Sequence, residues 1–163
     1  MRRLFLASLL LVSAAWTSQA QSTLPPGPEL LKEVIPQIES IDTTELQRRL
    51  QENPNLYVID VRSADEIKTL GGTIDAAQSV NIPRGWLEFR IGETVRSKDD
   101  PIVVFCGINQ RSPLAAKTLM DMGYTNVANY SDGFFKWRDA GNPVESPDFA
   151  LDSILYRMPQ QVT

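Results

Sequence analysis

The feature that most constrains the fold is an apolar run that ends in a cysteine and is followed by a short polar loop and a helix pattern. Residues 102–105 read Ile-Val-Val-Phe, and Cys106 follows directly. Such a run is typical of a buried strand, whereas apolar residues recur at helical spacing after Pro113. Ser112 is a favourable N-cap, and proline is tolerated in the first helical turn. The pattern therefore places Cys106 at the carboxyl end of a strand, where open α/β sheets bind ligands.

The loop of residues 107–112 predicts an anion site. Its amides can turn inward, and Gly107 and Asn109 both tolerate the left-handed backbone that such a nest requires. The dipole of the following helix adds positive potential, and Arg111 supplies a planar cation for an oxyanion. The same field favours the thiolate of Cys106. A buried structural cysteine is the alternative, but the arginine five residues later favours a reactive one.

The composition excludes several classes of catalysis. The 163 residues include no histidine and a single cysteine. Serine–histidine and cysteine–histidine mechanisms, histidine metal sites, multi-cysteine zinc sites and intrachain disulfides are therefore ruled out. We expect no metal and no cofactor, and activation of the cysteine by backbone amides and arginine. The length suits one domain.

The amino terminus predicts a signal peptide over residues 1–20. Arg2 and Arg3 form a basic start, residues 4–16 are apolar, and Ser-Gln-Ala at 18–20 fits a cleavage site. The apolar run is too short for a stable membrane anchor. We expect export to the periplasm or secretion, by the general secretory route rather than the twin-arginine route. Cleavage leaves 14 basic and 20 acidic residues, a net charge of −6, which disfavours nucleic-acid partners. We also expect a monomer.

The rest of the chain predicts an α/β fold. Residues 21–37 contain four prolines and are expected to be a linker with one helical turn at 29–34. The domain is expected over 38–147 and a tail over 148–163, with an apolar clip at 154–156. Strand patterns at 56–62, 79–83, 102–105 and 126–130 alternate with helix patterns after Asp42, at 65–69, 84–95, after Pro113 and at 133–141. This alternation indicates a mainly parallel central sheet flanked by helices on both faces.

Two helix starts carry further expectations. Ser63 is a candidate cap for the helix at 65–69. In the helix at 84–95 we expect Trp86, Leu87 and Ile91 to point inward. Arg84 is a secondary candidate for attracting anions to the site.

Four separated motifs, in order, resemble the rhodanese-like sulfurtransferase domain over residues 41–144. They are Asp-Val-Arg at 60–62, Gly-Thr-Ile at 72–74 leading to Asn-Ile-Pro at 81–83, the loop from Cys106 to Ser112, and the segment from Asp-Gly-Phe at 132–134 to Pro-Val at 143–144. Two of them depart from the family pattern. Asn109 replaces a common glycine, and Thr73 replaces the histidine of Gly-His-Ile.

The resemblance implies a cysteine that takes a sulfane sulfur as a persulfide and passes it to cyanide or a thiol. Cys106 and Arg111 would be the catalytic residues, with Arg111 assisting a small anionic donor such as thiosulfate. Asp60 and Arg62 would be scaffolding. The loop would hold the persulfide, through residues Gly107, Ile108, Asn109, Gln110, Arg111 and Ser112. Because the loop carries one cation only, we expect modest thiosulfate activity.

Two other functions stay open. A Cys-dependent phosphatase or arsenate reductase would typically have one more residue than the four between Cys106 and Arg111, and histidine in place of Phe105. A catalytically silent rhodanese-like binding or regulatory module is the second alternative, although the presence of both the cysteine and the arginine favours an enzyme.

Overall fold

A computed structural model describes residues 25–146 of the chain. The predicted signal peptide, the tail and its apolar clip therefore lie outside the described residues. The strands are β1 (Glu39–Ile41), β2 (Tyr57–Asp60), β3 (Thr73–Ile74), β4 (Gln78–Asn81), β5 (Ile102–Phe105), β6 (Val127–Tyr130) and β7 (Val144–Glu145). The helices are α1 (Gly27–Val34), α2 (Thr43–Glu52), α3 (Ala64–Thr69), α4 (Leu87–Thr94), α5 (Ser112–Asp121) and α6 (Gly133–Asp139).

Five strands form one parallel sheet in the order β1-β6-β5-β2-β4. The central strand, β5, is buried along its whole length, as expected for a parallel strand covered on both faces. Its side chains alternate between two cores. Val104 and Cys106 pack with α4 and α5 on one face, and Val103 and Phe105 pack with α2 and α6 on the other. The predicted parallel α/β fold with helices on both faces is confirmed.

The segment expected as a linker contains more helix than the single turn predicted. α1 spans Gly27–Val34, and a 3₁₀ turn follows at Ile35–Gln37. Pro28 lies in the first turn of α1, where the missing amide costs no hydrogen bond. Val34 is buried, and α1 packs against α5. The prolines therefore mark the start of a helix and not an extended connection.

Short elements and one aromatic side chain were not predicted correctly. The sequence patterns missed β1 and the antiparallel pair β3–β7, since two or three residues are too few to show a period. Leu87 and Ile91 are buried as expected, but Trp86 is 39% exposed. It ends a 3₁₀ turn, Arg84–Trp86, whose tighter winding turns it away from the apolar stripe of α4. No helix among residues 25–146 is long and apolar enough to cross a membrane.

Candidate active site

Cys106 lies directly after β5, at the carboxyl edge of the sheet, and is fully buried. Burial raises the pKa of its thiol. Hydrogen bonds from the Ser112 hydroxyl and from the amides of Arg111, Ser112 and Ile108 outweigh burial and hold the pKa below its ordinary value. The structure thus surrounds the sulfur with donors that favour its anion.

Ser112 does not have the N-cap role that the sequence predicts. It is the first residue of α5 and not its N-cap, and the N-cap residue, Arg111, makes no side-chain capping bond. The Ser112 hydroxyl instead lies 3.5 Å from the sulfur of Cys106, to which it donates. The predicted N-cap is therefore wrong. The loop brings the Cys106 sulfur close to the Ser112 hydroxyl, which donates to the sulfur and does not cap the helix.

The start of α6 turns the amides of the loop inward. The amide of Phe134 donates to the carbonyl of Cys106 at 2.9 Å, and the amide of Phe135 donates to the carbonyl of Gly107 at 3.4 Å. With these carbonyls directed at α6, the following amides are free to face the sulfur. Gly133 allows this approach. It has a φ of 74°, and a Cβ there would lie 2.5 Å from the Gly107 carbonyl oxygen.

Gly107 and Asn109 were both expected in the left-handed region, but their backbone conformations differ. Asn109 adopts a φ of 59°, as predicted. Its side-chain oxygen accepts a hydrogen bond from Asn129 at 2.9 Å, which ties the loop to β6. Gly107 does not have a positive φ. Its place is nevertheless close-packed, because a Cβ there would lie 3.1 Å from the ring of Phe135. Sequence reasoning missed Asn129, a buried polar residue with no distinguishing pattern around it.

The guanidinium of Arg111 is bound by a carboxylate of the protein. Its two terminal nitrogens donate to the two oxygens of Glu66, at 2.6 and 2.7 Å. These bonds are the main reason that the pKa of Glu66 falls to about 2 and that the pKa of Arg111 is raised. Glu66 was not predicted as a site residue. The available signal was its spacing from Ser63, with which it forms a capping box at the start of α3.

The other predicted residues are placed as follows. The side chains of Ile108 and Gln110 are exposed, and of these two residues only Ile108 donates to the sulfur, through its backbone amide. Arg84 donates to Glu88 and to Thr118 on α5, which braces α4 against α5. It is therefore engaged by side chains outside the loop. Among residues 25–146, no group of acidic or cysteine side chains could hold a metal ion.

A scaffold of buried polar groups stands beside the loop. Asp60 and Arg62 are fully buried and pair through bonds that include one of 2.6 Å. Thr73 donates to Asp60, and Arg62 also donates to the carbonyl of Gly72, both at 2.8 Å. The guanidinium lies 3.9 Å from the ring centre of Phe134, next to the first residue of α6. The arrangement connects the end of β2 to the helix that orients the loop.

Residues 42–140 match the sequence model of the Rhodanese-like domain. This chain belongs to the rhodanese-like family. The resemblance inferred from the four motifs is thereby confirmed, and it covers most of the residues that the structure describes.

Individual rhodanese-like relatives agree with this membership. A sulfurtransferase of Allochromatium vinosum is 30% identical over 111 residues, which are 68% of this chain and 98% of that protein. The polysulfide-sulfur transferase homodimer of Wolinella succinogenes has a TM-score of 0.65 and 30% identity, over 74% of this chain and 88% of that one. These matches support a rhodanese-type sulfurtransferase.

A third similar structure bears on the alternatives. It is a Rhodopseudomonas palustris protein of unknown function, described as a possible tyrosine phosphatase, with a TM-score of 0.65 and 33% identity. The match covers 78% of this chain and 99% of that one. The rhodanese-like fold is therefore shared with a protein for which phosphate chemistry has been suggested.

Proposed function

We propose that this protein transfers a sulfane sulfur from a donor to an acceptor through a persulfide on Cys106. The observation that carries the proposal is the set of donors around the cysteine sulfur, namely the Ser112 hydroxyl and three backbone amides. They favour the thiolate as nucleophile in a chain that has no histidine to act as a base.

The first half-reaction loads the cysteine. The Cys106 thiolate attacks the outer sulfur of thiosulfate, a new S–S bond forms, the S–S bond of the donor breaks, and sulfite leaves with the electron pair. The product is a Cys106 persulfide anion, and no proton has to move. The loop amides stabilise this anion as they stabilise the thiolate.

The second half-reaction transfers the sulfur from Cys106 to the acceptor. Cyanide or an acceptor thiolate attacks the outer sulfur of the persulfide, the S–S bond breaks, and Cys106 regains its thiolate as thiocyanate or a new persulfide leaves. Each donor and acceptor reacts in turn, so the kinetics are ping-pong. An alkyl persulfide or a polysulfide is a second class of donor. The Wolinella succinogenes protein, described as a polysulfide-sulfur transferase, supports this class.

Intact-mass measurement on purified mature protein tests the mechanism. After treatment with the donor, we expect one added sulfur, which cyanide or a reductant removes. Cys106→Ser should abolish both the adduct and turnover while the fold persists, since the hydroxyl is close to the thiol in size. The matched control is Ser112→Ala, which removes the hydroxyl donor but keeps the thiol and should retain the adduct.

Two outcomes would contradict the mechanism. A serine variant that still transfers sulfur would exclude Cys106 as the carrier. A wild-type protein that never gains the sulfur would favour the silent binding module.

Phosphate-ester hydrolysis is the second candidate, favoured by the description of the Rhodopseudomonas palustris protein. Two features of this chain oppose it. Only four residues separate Cys106 from Arg111, which leaves little room for a tetrahedral oxyanion, and the arginine is already bound to Glu66. We expect no hydrolysis of para-nitrophenyl phosphate under conditions in which sulfur transfer is measurable.

Export by the signal peptide of residues 1–20 also belongs to this proposal. It rests on the basic start, the apolar run and the Ser-Gln-Ala site. Amino-terminal sequencing of the exported protein should begin at Gln21. Recovery of the full chain in the membrane fraction would contradict this expectation. The monomer stays a prediction, to be checked by sedimentation because the Wolinella succinogenes relative is a homodimer.

A further inference from the structure

Arg111 is the only cation in the loop of residues 107–112, and its charge is opposed by Glu66. The two side chains meet in a parallel, two-bond pair of 2.6 and 2.7 Å. The Arg111 side chain is 39% exposed and that of Glu66 is 33% exposed, so the pair is open to solvent. The sulfur of Cys106 is close enough to the Arg111 guanidinium to contribute to its raised pKa. A donor that approaches Arg111 therefore meets a carboxylate at the same place.

The pair is held in position from both sides. Glu66 is the third residue of α3, and one of its oxygens also accepts the amide of Ser63 at 3.1 Å. Arg111 is the N-cap residue of α5 and lies near the end of the loop. Because each partner sits at the start of a helix, their meeting is preorganised, unlike that of two long side chains on an open surface.

Three side chains set the net charge of the site. The Cys106 thiolate and the Glu66 carboxylate each contribute one negative charge, and Arg111 contributes one positive charge. The site with its nucleophile ready is thus negative, and thiosulfate adds two further negative charges. A protonated alkyl persulfide adds none. Electrostatic repulsion therefore discriminates between the two donor classes.

We propose that Glu66 is a specificity-determining residue that directs the site towards alkyl persulfides and against thiosulfate. This inference rests on the sulfurtransferase function proposed above. In the favoured step, the Cys106 thiolate attacks the outer sulfur of a persulfide RSSH, the S–S bond of the donor breaks, and the alkyl thiolate leaves. Cys106 keeps the outer sulfur and its proton as a persulfide, so charge and atoms balance.

Glu66→Gln is the test variant. Glutamine at this position still accepts the Ser63 amide, because a capping box works with either residue, but it no longer opposes the charge of Arg111. Glu45→Gln is the matched control. Glu45 holds the same position in α2, where it pairs with Arg48 and Arg49 and its pKa is also lowered to about 2. α2 packs on the face of the sheet opposite α5.

The first readout is the rate at which Cys106 gains sulfur in a single turnover, from thiosulfate and separately from an alkyl persulfide. In Glu66→Gln the ratio of the thiosulfate rate to the persulfide rate should rise roughly three- to tenfold, the effect of one partly screened charge. In Glu45→Gln it should stay at the wild-type value. Thermal unfolding confirms that both variants are folded.

The second readout needs no sulfur transfer. Iodoacetate and iodoacetamide alkylate the same thiol but differ by one charge, and Cys106 is the only cysteine of the chain. The ratio of the iodoacetate rate to the iodoacetamide rate should also rise in Glu66→Gln. Should that variant not fold, Glu66→Ala carries the test with the same sign, because it also removes the carboxylate that opposes Arg111.

The outcomes separate the two proposals. If the wild type gains sulfur but Glu66→Gln leaves the donor ratio unchanged, Glu66 does not set specificity and the sulfurtransferase function stands. A changed donor ratio with an unchanged iodoacetate ratio would also overturn the inference, because the effect would then not be one of charge. If the wild type gains sulfur from neither donor, both proposals fail.

Discussion

Two arginine–carboxylate pairs have members only four positions apart in the sequence, Arg62 and Glu66, and they differ chiefly in burial. Asp60 and Arg62 follow the end of β2 and are fully buried. Glu66 and Arg111 are partly exposed, and Arg111 belongs to the loop that follows Cys106. Both pairs have two-bond geometry, with shortest distances of 2.6 Å.

The surroundings of each pair indicate its role. The buried pair has further partners, including Thr73, the Gly72 carbonyl and the ring of Phe134, although one terminal nitrogen of Arg62 makes no hydrogen bond. Removing one member of such a pair leaves an uncompensated charge in a medium of low dielectric. The exposed pair is open to solvent. Its loss therefore costs little stability, but it changes the charge near a bound ligand. The buried pair therefore maintains the fold, and the exposed pair tunes the site.

The largest effect is expected for the buried pair. Arg62→Ala leaves the Asp60 carboxylate buried with only the Thr73 hydroxyl and the amide of residue 62 as partners. We expect the free energy of unfolding to fall by about 3–5 kcal/mol, measured by urea denaturation. The control is Arg48→Ala, which breaks exposed pairs with Glu45 and Glu52 and should lower the free energy of unfolding far less. Equal losses in the two variants would remove the distinction drawn from burial.

Arg111→Lys should produce a smaller effect, and on activity more than on stability. Lysine keeps the charge but cannot bind both oxygens of Glu66 or present a planar fork to an oxyanion. We expect thiosulfate-dependent turnover to fall about tenfold, less than the loss of a complete oxyanion donor, with a smaller loss for an uncharged sulfur donor.

Arg84→Lys is the matched control, because Arg84 is bound outside the loop to Glu88 and Thr118. Its turnover should stay near that of the wild type. Equal losses for both donors in Arg111→Lys would mean that the arginine mainly holds the shape of the loop.

The smallest effect is the pH dependence of the exposed pair. The bonds from Arg111 lower the pKa of Glu66 from 4.5 to about 2 in the folded protein. The stabilisation by this pair is therefore present above about pH 4.5 and is lost as the pH falls towards 2. Its size should be about 1 kcal/mol or less, because the pair is exposed.

The difference in unfolding free energy between the wild type and Glu66→Gln, measured from pH 7 down to pH 2, checks this effect. The difference should shrink in the acid range. A difference that is constant over the whole range would show that the carboxylate charge contributes nothing to stability.

The sequence by itself determined the alternation of the longer strands and helices and the place of the cysteine at the end of its strand. The apolar run before Cys106, the Ser-Pro start of α5 and the asparagine in the left-handed region are local features, set by side-chain periodicity, proline chemistry and backbone sterics. Each of them acts within a few residues along the chain. Reasoning from neighbouring residues therefore reached them, together with the parallel α/β fold that the alternation of strands and helices requires.

Only the tertiary structure decided which polar groups meet. Glu66 and Arg111 are 45 residues apart, and Asn129 reaches Asn109 from another strand. The Ser112 hydroxyl serves the sulfur and not the helix end because the loop brings Cys106 within 3.5 Å. Such partners depend on how helices and strands pack, since many carboxylates along the chain could have matched one arginine equally well. The position of the cysteine is thus a property of the local sequence, whereas the charge around it is a property of the fold.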